Sequence, residues 1–176
     1  MPTYSKASEE INDLVQDVMQ RYHGGLHDAG VLVETLMAHP CLDDNGDPKG
    51  SAVSVAGYRC VAKIKILGLK DRVCRGYDAE MIIDSDQWEE SSEETRAAII
   101  DHELTHLELV TDSEGNVKRD DAERPKLRVV KHDYHFGWFT AVARRHGEAS
   151  IEVQQAREMI DQRFKQLFLF DLEPVA

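Results

Sequence analysis

The chain is short of basic charge: 21 Lys and Arg stand against 33 Asp and Glu, a formal net charge of −12. Nucleic-acid binding takes most of its affinity from neutralised phosphates, so nucleic acid is disfavoured as a partner, though not excluded. The one basic cluster is Lys63, Lys65, Lys70, Arg72 and Arg75. Alternation on a strand puts Lys63 and Lys65 on one face, read here as a solvated outer face and not a DNA footprint. No apolar run approaches the ~20 residues of a membrane-spanning helix. The start, Met1-Pro2-Thr3-Tyr4-Ser5-Lys6, has neither the basic region nor the apolar stretch of a secretory signal. Three cysteines, Cys41, Cys60 and Cys74, show no CxxC spacing. They exclude a disulfide framework and a thiolate zinc site, and read as free thiols in the cytosol.

What is present is a polypeptide of 176 residues, 41% of them apolar, enough for one domain with a real core. Ile11, Leu14, Val15, Val18 and Met19 recur at helical spacing and predict an amphipathic helix over Ser8 to Tyr22, ended by His23-Gly24-Gly25. A second helix is expected from about Asp28 to His39, stopped by Pro40. His23, His27 and His39 fall at or beyond these helix ends and are taken as surface or capping residues. Asp43 to Gly50 is a loop by composition. It has the outline of a calcium loop, but Pro48 stands at the turn-glycine position and Ser54 where a bidentate Glu belongs, so calcium is rejected. Strands are expected over Tyr58 to Leu67 and Ala79 to Ile83, the latter as the strand lining a cleft. Further on, Phe136, Phe139 and Ala143 mark a helix over His132 to His146. Ile151, Met159, Ile160, Phe164 and Leu167 mark a last one over Ser150 to Phe168.

The decisive stretch is Asp101-His102-Glu103-Leu104-Thr105-His106, an HExxH sequence. On a helix, residues four apart share a face, so His102 and His106 can reach one metal ion with Glu103 beside them. Neutral imidazoles suit Zn²⁺, and a carboxylate beside the ion can act as general base. The string arises by chance in roughly one chain in thirty of such composition, so its setting matters. Ser91 and Glu94 stand at capping-box spacing, and Ala97, Ala98, Ile99, Ile100, Leu104 and Leu107 make an apolar helix over about Ser92 to Leu109. The competing reading is two histidines on a polar face, satisfied by carboxylates such as Asp101. After the helix, Asp112 to Glu123 is polar, and its flanks, Leu107 to Thr111 and Leu127 to Val130, predict a hairpin or long loop.

A catalytic zinc needs a third protein ligand. Leu109 and Asp112 occupy the places of the metzincin Gly and His, so that pattern is absent. Glu148, Glu152 and Glu158 are candidates, but the cluster His132-Asp133-Tyr134-His135-Phe136 is the better source. His132 shares its helical face with Phe136 and Phe139 and is the first choice, with His135 or Asp133 as alternatives. Asp133 can instead cap the helix or hold a ligand imidazole. Tyr134 and His135 can donate to a developing oxyanion, although simple packing is the plainer role for Tyr134. His146, before Gly147 at a helix end, reads as structural.

The chain resembles the phage metallopeptidase family. The resemblance runs from Asn45-Gly46-Asp47-Pro48-Lys49-Gly50 to Gly57-Tyr58, then Leu69-Lys70-Asp71-Arg72-Val73 and Asp78 through Asp84. It continues with Trp88, Arg96-Ala97, Asp101 to Leu107, His132-Asp133 and Arg145-His146-Gly147. It implies a small zincin-like α+β domain of phage or prophage origin. Residues 45–147 would form its core, with helices in 1–44 and 148–176. A more distant likeness is to SprT-like proteases, whose later His-x-x-x-Phe helix matches His132 and Phe136. The expectation is a single domain over 1–176, with Zn²⁺ on His102, His106 and His132 and Glu103 as base, acting on protein or peptide. Two alternatives are a zinc-stabilised binding module that cleaves nothing and a DNA-associated protease of the SprT-like kind.

Overall fold

The computed structural model describes residues 1–55, 57–131, 144–145, 147–149, 153–154, 156–158 and 160–161. The chain divides into two compact units, Met1–Lys131 and His132–Ala176.

The first unit opens with β1 (Thr3–Lys6), α1 (Glu9–Tyr22), α2 (Gly24–Asp28) and β2 (Val33–His39). Next come β3 (Ser54–Val55), β4 (Tyr58–Arg59), β5 (Ala62–Ile66), α3 (Leu69–Arg75) and β6 (Ala79–Asp84). It ends with α4 (Ser85–Glu89), α5 (Glu93–Thr105), β7 (Leu107–Leu109) and β8 (Leu127–Val129). The main sheet is four-stranded and mixed, in the order β1-β2-β6-β5; β2 and β6 are parallel and the other two junctions antiparallel. The fold is α+β. Among the described residues no helix is long and apolar enough to cross a membrane.

Alternation decides which face of the sheet is which. Ala79, Met81 and Ile83 of β6 and Val33 and Met37 of β2 turn one way, onto Val15, Val18 and Met19 of α1 and Ile100 and Leu104 of α5. Ile100 and Leu104 are fully buried, and each such side chain stabilises by about 1.5–3 kcal/mol. Ile82 and Ala38 face the other way, onto Val53. Asp84, itself buried, holds the chain there: it accepts from the Ser51 hydroxyl and the Ala52 N–H, each at 2.8 Å. It also caps α4 through the Gln87 N–H.

The helix expected over Asp28 to His39 is a correction: only Gly24–Asp28 is helical, and Val33–His39 is a central strand. Val33, Thr35 and Met37 are buried at period two, and pairing on both sides outweighs the helical spacing of Leu32 and Leu36. α1 matches its expectation, with the Ser8 hydroxyl accepting from the Ile11 N–H. α5 is shorter than expected, because the chain turns into β7 directly after His106. Its cap is Ser92, which accepts from the Thr95 N–H. The expected hairpin is β7 paired with β8.

In the second unit Arg144 and Arg145, and later 153–154, 156–158 and 160–161, are helical around a 3₁₀ turn, Gly147–Ala149. Ile160, expected on an apolar stripe, is exposed. The remainder of both expected C-terminal helices lies outside the described residues.

Candidate metal centre

α5 carries Asp101 to Thr105 in its last turns, with His106 as its C-terminal cap. Leu104 is fixed in the core, and its neighbours are oriented by that anchor. Glu103 is only 6% exposed, His106 is half-buried and His102 is exposed. The two imidazole centroids lie 5.1 Å apart with their planes at 83°. Two imidazoles on one tetrahedral zinc, with Zn–N bonds of about 2.0–2.1 Å, place their centroids about 5 Å apart. The pair fits one ion.

His106 is held in a defined tautomer. Its Nδ1 lies 2.7 Å from the Val130 carbonyl oxygen, which can only accept, so Nδ1 carries the proton. The lone pair of the neutral ring is then on Nε2, as in metal-ligating histidines oriented by a backbone carbonyl. The contact is reinforced by the Val130 N–H, which donates to the His106 carbonyl at 2.8 Å.

Glu103 is buried beside β5. Burial pushes its carboxyl above the ordinary carboxylate range, against the opposing pull of His106 and of a hydrogen bond accepted from the Ile64 N–H. The strand ladder explains that N–H. Val61 accepts from the Asp84 N–H and the Leu67 N–H donates to Asp78, so odd-numbered residues of this segment bond toward β6. Ala62, Ile64 and Ile66 therefore turn their backbone groups to the outer edge. This corrects the cleft-lining strand. Ala79–Ile83 lies in β6, which is paired on both sides, whereas β5 is the sheet's edge beside α5.

Asp101 does not serve the histidines of the motif. Its carboxylate is 2.7 Å from His23 Nε2, tying the end of α1 to α5. Of the expected site residues, His102, Glu103 and His106 are brought together. His132, Asp133, Tyr134 and His135 lie outside the described residues, as does Glu152. Glu148 is paired with Arg157 within the second unit. Among the described residues no group of three His, Cys, Asp or Glu side chains gathers to hold a metal.

A family model described as "Putative phage metallopeptidase" matches residues 3–162. The chain belongs to that family. No curated protein and no solved structure matches it. Membership of a metallopeptidase family implies a metal and a protein or peptide substrate, and the histidine pair with its buried carboxylate has the donor chemistry for zinc.

Of the five residues of the basic cluster in this metallopeptidase, Arg72 is buried, Lys63 and Arg75 are half-buried, and Lys65 and Lys70 are exposed. Arg72 is buried on Asp78 and Asp120, Arg75 bonds Glu34 and Glu80, and Lys65 lies 2.6 Å from Glu80. Arg72 and Arg75 sit on α3 and are taken up by carboxylates, whereas Lys65 on β5 is solvated as expected, its side chain 59% exposed. The charge of the two arginines is neutralised within the fold, which leaves less of the cluster to attract phosphates. What the sequence did not reveal is the pair of backbone groups, Val130 C=O and Ile64 N–H, that hold His106 and Glu103. Main-chain atoms leave no residue-type signature. The alternation of Val61 to Leu67 was the available hint for the second.

Proposed function

We propose that the protein is a zinc-dependent peptidase with a zincin-like domain over 1–176, its metal held by His102, His106 and His132. The observation that carries this is the His102–His106 pair at 5.1 Å, one ring fixed through Nδ1 to Val130, beside a buried Glu103. Zn²⁺ bound there supplies a Lewis acid that polarises a carbonyl and brings the pKa of water to about 7. Glu103 takes the proton of the attacking water and delivers it to the leaving amine. Its burial supports that role, because a carboxylate made more basic is a better proton acceptor near neutral pH. The outer edge of β5 offers backbone groups to an extended peptide, aligning a scissile bond beside Glu103. Asp133 is the candidate to orient a ligand imidazole, and Tyr134 and His135 are candidates to donate to the oxyanion. The three free cysteines fit a cytosolic site of action in an infected or lysogenic host.

The test is zinc content and peptide hydrolysis measured on the same preparations. Wild type is expected to hold one zinc per chain. Glu103→Gln keeps the zinc and loses about 10²–10⁴-fold in turnover, His102→Ala loses both, and His132→Ala binds zinc more weakly. Unchanged hydrolysis by Glu103→Gln overturns the mechanism. A zinc closed by four protein ligands in X-ray absorption, with no hydrolysis, identifies a binding module instead.

A further inference from the structure

Beyond the end of β5 lies a cavity of about 360 Å³, lined on one side by the aliphatic Ile66, Leu69, Val110 and Leu127 and on the other by charged side chains. Ile66 follows Ile64, the residue whose N–H holds Glu103, by two positions. That is about 7 Å along the strand, one dipeptide step of an extended chain. Both residues turn their backbone groups to the outer edge of the sheet. The opposite wall is the segment between β7 and β8, which begins four residues after His106 in sequence.

The charged groups at the cavity do not define a charged ligand. Arg72 is buried and bonds Asp120 at 2.6 Å and Asp78 at 2.6 Å, so its guanidinium and the Asp120 carboxylate satisfy each other. Asp121 and Lys126 stand at the rim with opposite signs. The wall is also fixed in place. Arg72 reaches the Pro125 carbonyl at 2.8 Å, and Arg124 of the same segment bonds Asp78. A preformed pocket with four aliphatic residues, mutually balanced charges and room for a large side chain favours a hydrophobic occupant.

From this geometry we infer that the cavity is a specificity subsite. It receives a large aliphatic or aromatic side chain of a peptide laid along β5, a few residues from the bond cleaved. This rests on the peptidase reading, and the experiment separates the two. Leu69 is half-exposed at the first position of α3, so Leu69→Glu adds a carboxylate at the cavity where a helix start tolerates it. Leu127→Trp fills the cavity, with thermal melting as its folding control. The zinc-loaded proteins are given a randomised peptide mixture and the products are sequenced by mass spectrometry.

Wild type is expected to prefer Leu, Met or Phe at one position relative to the cut. Leu69→Glu should lower kcat/KM for those peptides by about tenfold and raise it for Lys or Arg there. Leu127→Trp should favour small residues. Cleavage with an unmoved profile in both folded variants overturns the subsite and leaves the peptidase standing. If wild type cleaves nothing, the peptidase reading falls. The subsite is then read from fluorescence anisotropy of Leu- and Lys-containing peptides on Glu103→Gln, with and without Leu69→Glu. A reversal of preference supports it, and equal or absent binding overturns it.

Discussion

At the scale of single residues, Glu103 is a carboxylate placed where folding does not favour it. It is buried, and burial is the largest influence on its proton affinity, raising it above the ordinary range. A folded pKa above the unfolded one gives stability that is complete below about pH 4 and is lost as pH rises through the folded value. Above that value the folded state carries a buried charge that the unfolded chain would solvate. Glu103→Gln keeps an oxygen for the Ile64 N–H and removes the charge. With metal stripped by a chelator, the variant should therefore be more stable than wild type at pH 7, by on the order of 1 kcal/mol. That corresponds to a melting point about 2–4 °C higher. The gain should vanish near pH 4. A variant less stable at pH 7 would mean that the carboxylate's hydrogen bond outweighs its burial. The motif itself was legible because four-residue spacing on a helix is a property of sequence. Which imidazole nitrogen bears the proton was not, since it depends on Val130, a residue brought to His106 by the β7–β8 pairing.

At the scale of elements, one turn is built three times. Asp43, Asp112 and Asp120 each accept from the N–H groups two and four residues on, at 2.8–3.1 Å. Each turn is closed by a bridge across its base: Leu42 with Pro48, Thr111 with Val117, and Arg119 with Pro125. The fourth residue of each turn has positive φ: Gly46 at 87°, Gly115 at 87° and Glu123 at 59°. A side chain in that region costs about 1–2 kcal/mol, and glycine recovers it less its own entropy. Glu123→Gly should therefore stabilise the protein by about 0.5 kcal/mol, and Gly115→Ala should destabilise it by about 1 kcal/mol. Urea midpoints at constant m-value check both, and a loss of stability in Glu123→Gly refutes the strain. The loops were readable from Asp, Gly and Pro, and α1 from its spacing and its Ser8 cap. Val33–His39 was not, because Val, Leu, Met and Ala satisfy a helical stripe as well as an alternation over so short a run. Only its two partners, β1 and β6, decide it. The same holds for the cleft strand: which of two apolar strands forms the edge is a property of sheet order.

At the scale of the whole first unit, Asp78 is a fully buried anion on which distant segments meet. Its carboxylate accepts from the Leu32 N–H before β2, from Arg72 on α3 and from Arg124 of the segment between β7 and β8. Arg72 also bonds Asp120, so two guanidiniums face two carboxylates and the cluster is neutral. Burial alone would raise the Asp78 pKa, but hydrogen bonds from Arg124, Leu32 and Arg72 outweigh it and hold the group below the ordinary carboxylate range. A depressed folded pKa gives stability that is present above the unfolded value of about 3.9 and lost as pH falls through the folded one. Asp78→Asn leaves the buried Arg72 and its neighbour Arg124 facing only the Asp120 carboxylate, one positive charge in excess, which should cost about 3–5 kcal/mol at pH 7. The gap to wild type should narrow below pH 3, where wild-type Asp78 begins to take up its proton. Urea unfolding of both proteins at pH 7 and pH 2.5 measures it, and an equal gap at the two values would show that Asp78 is not the linked group. Because Arg72 and Arg124 also fix the wall of the cavity beyond β5, Asp78→Asn should loosen that wall as well. Faster amide hydrogen exchange over 110–126, with exchange in α1 unchanged, is the expected signature of an anchor acting on that segment.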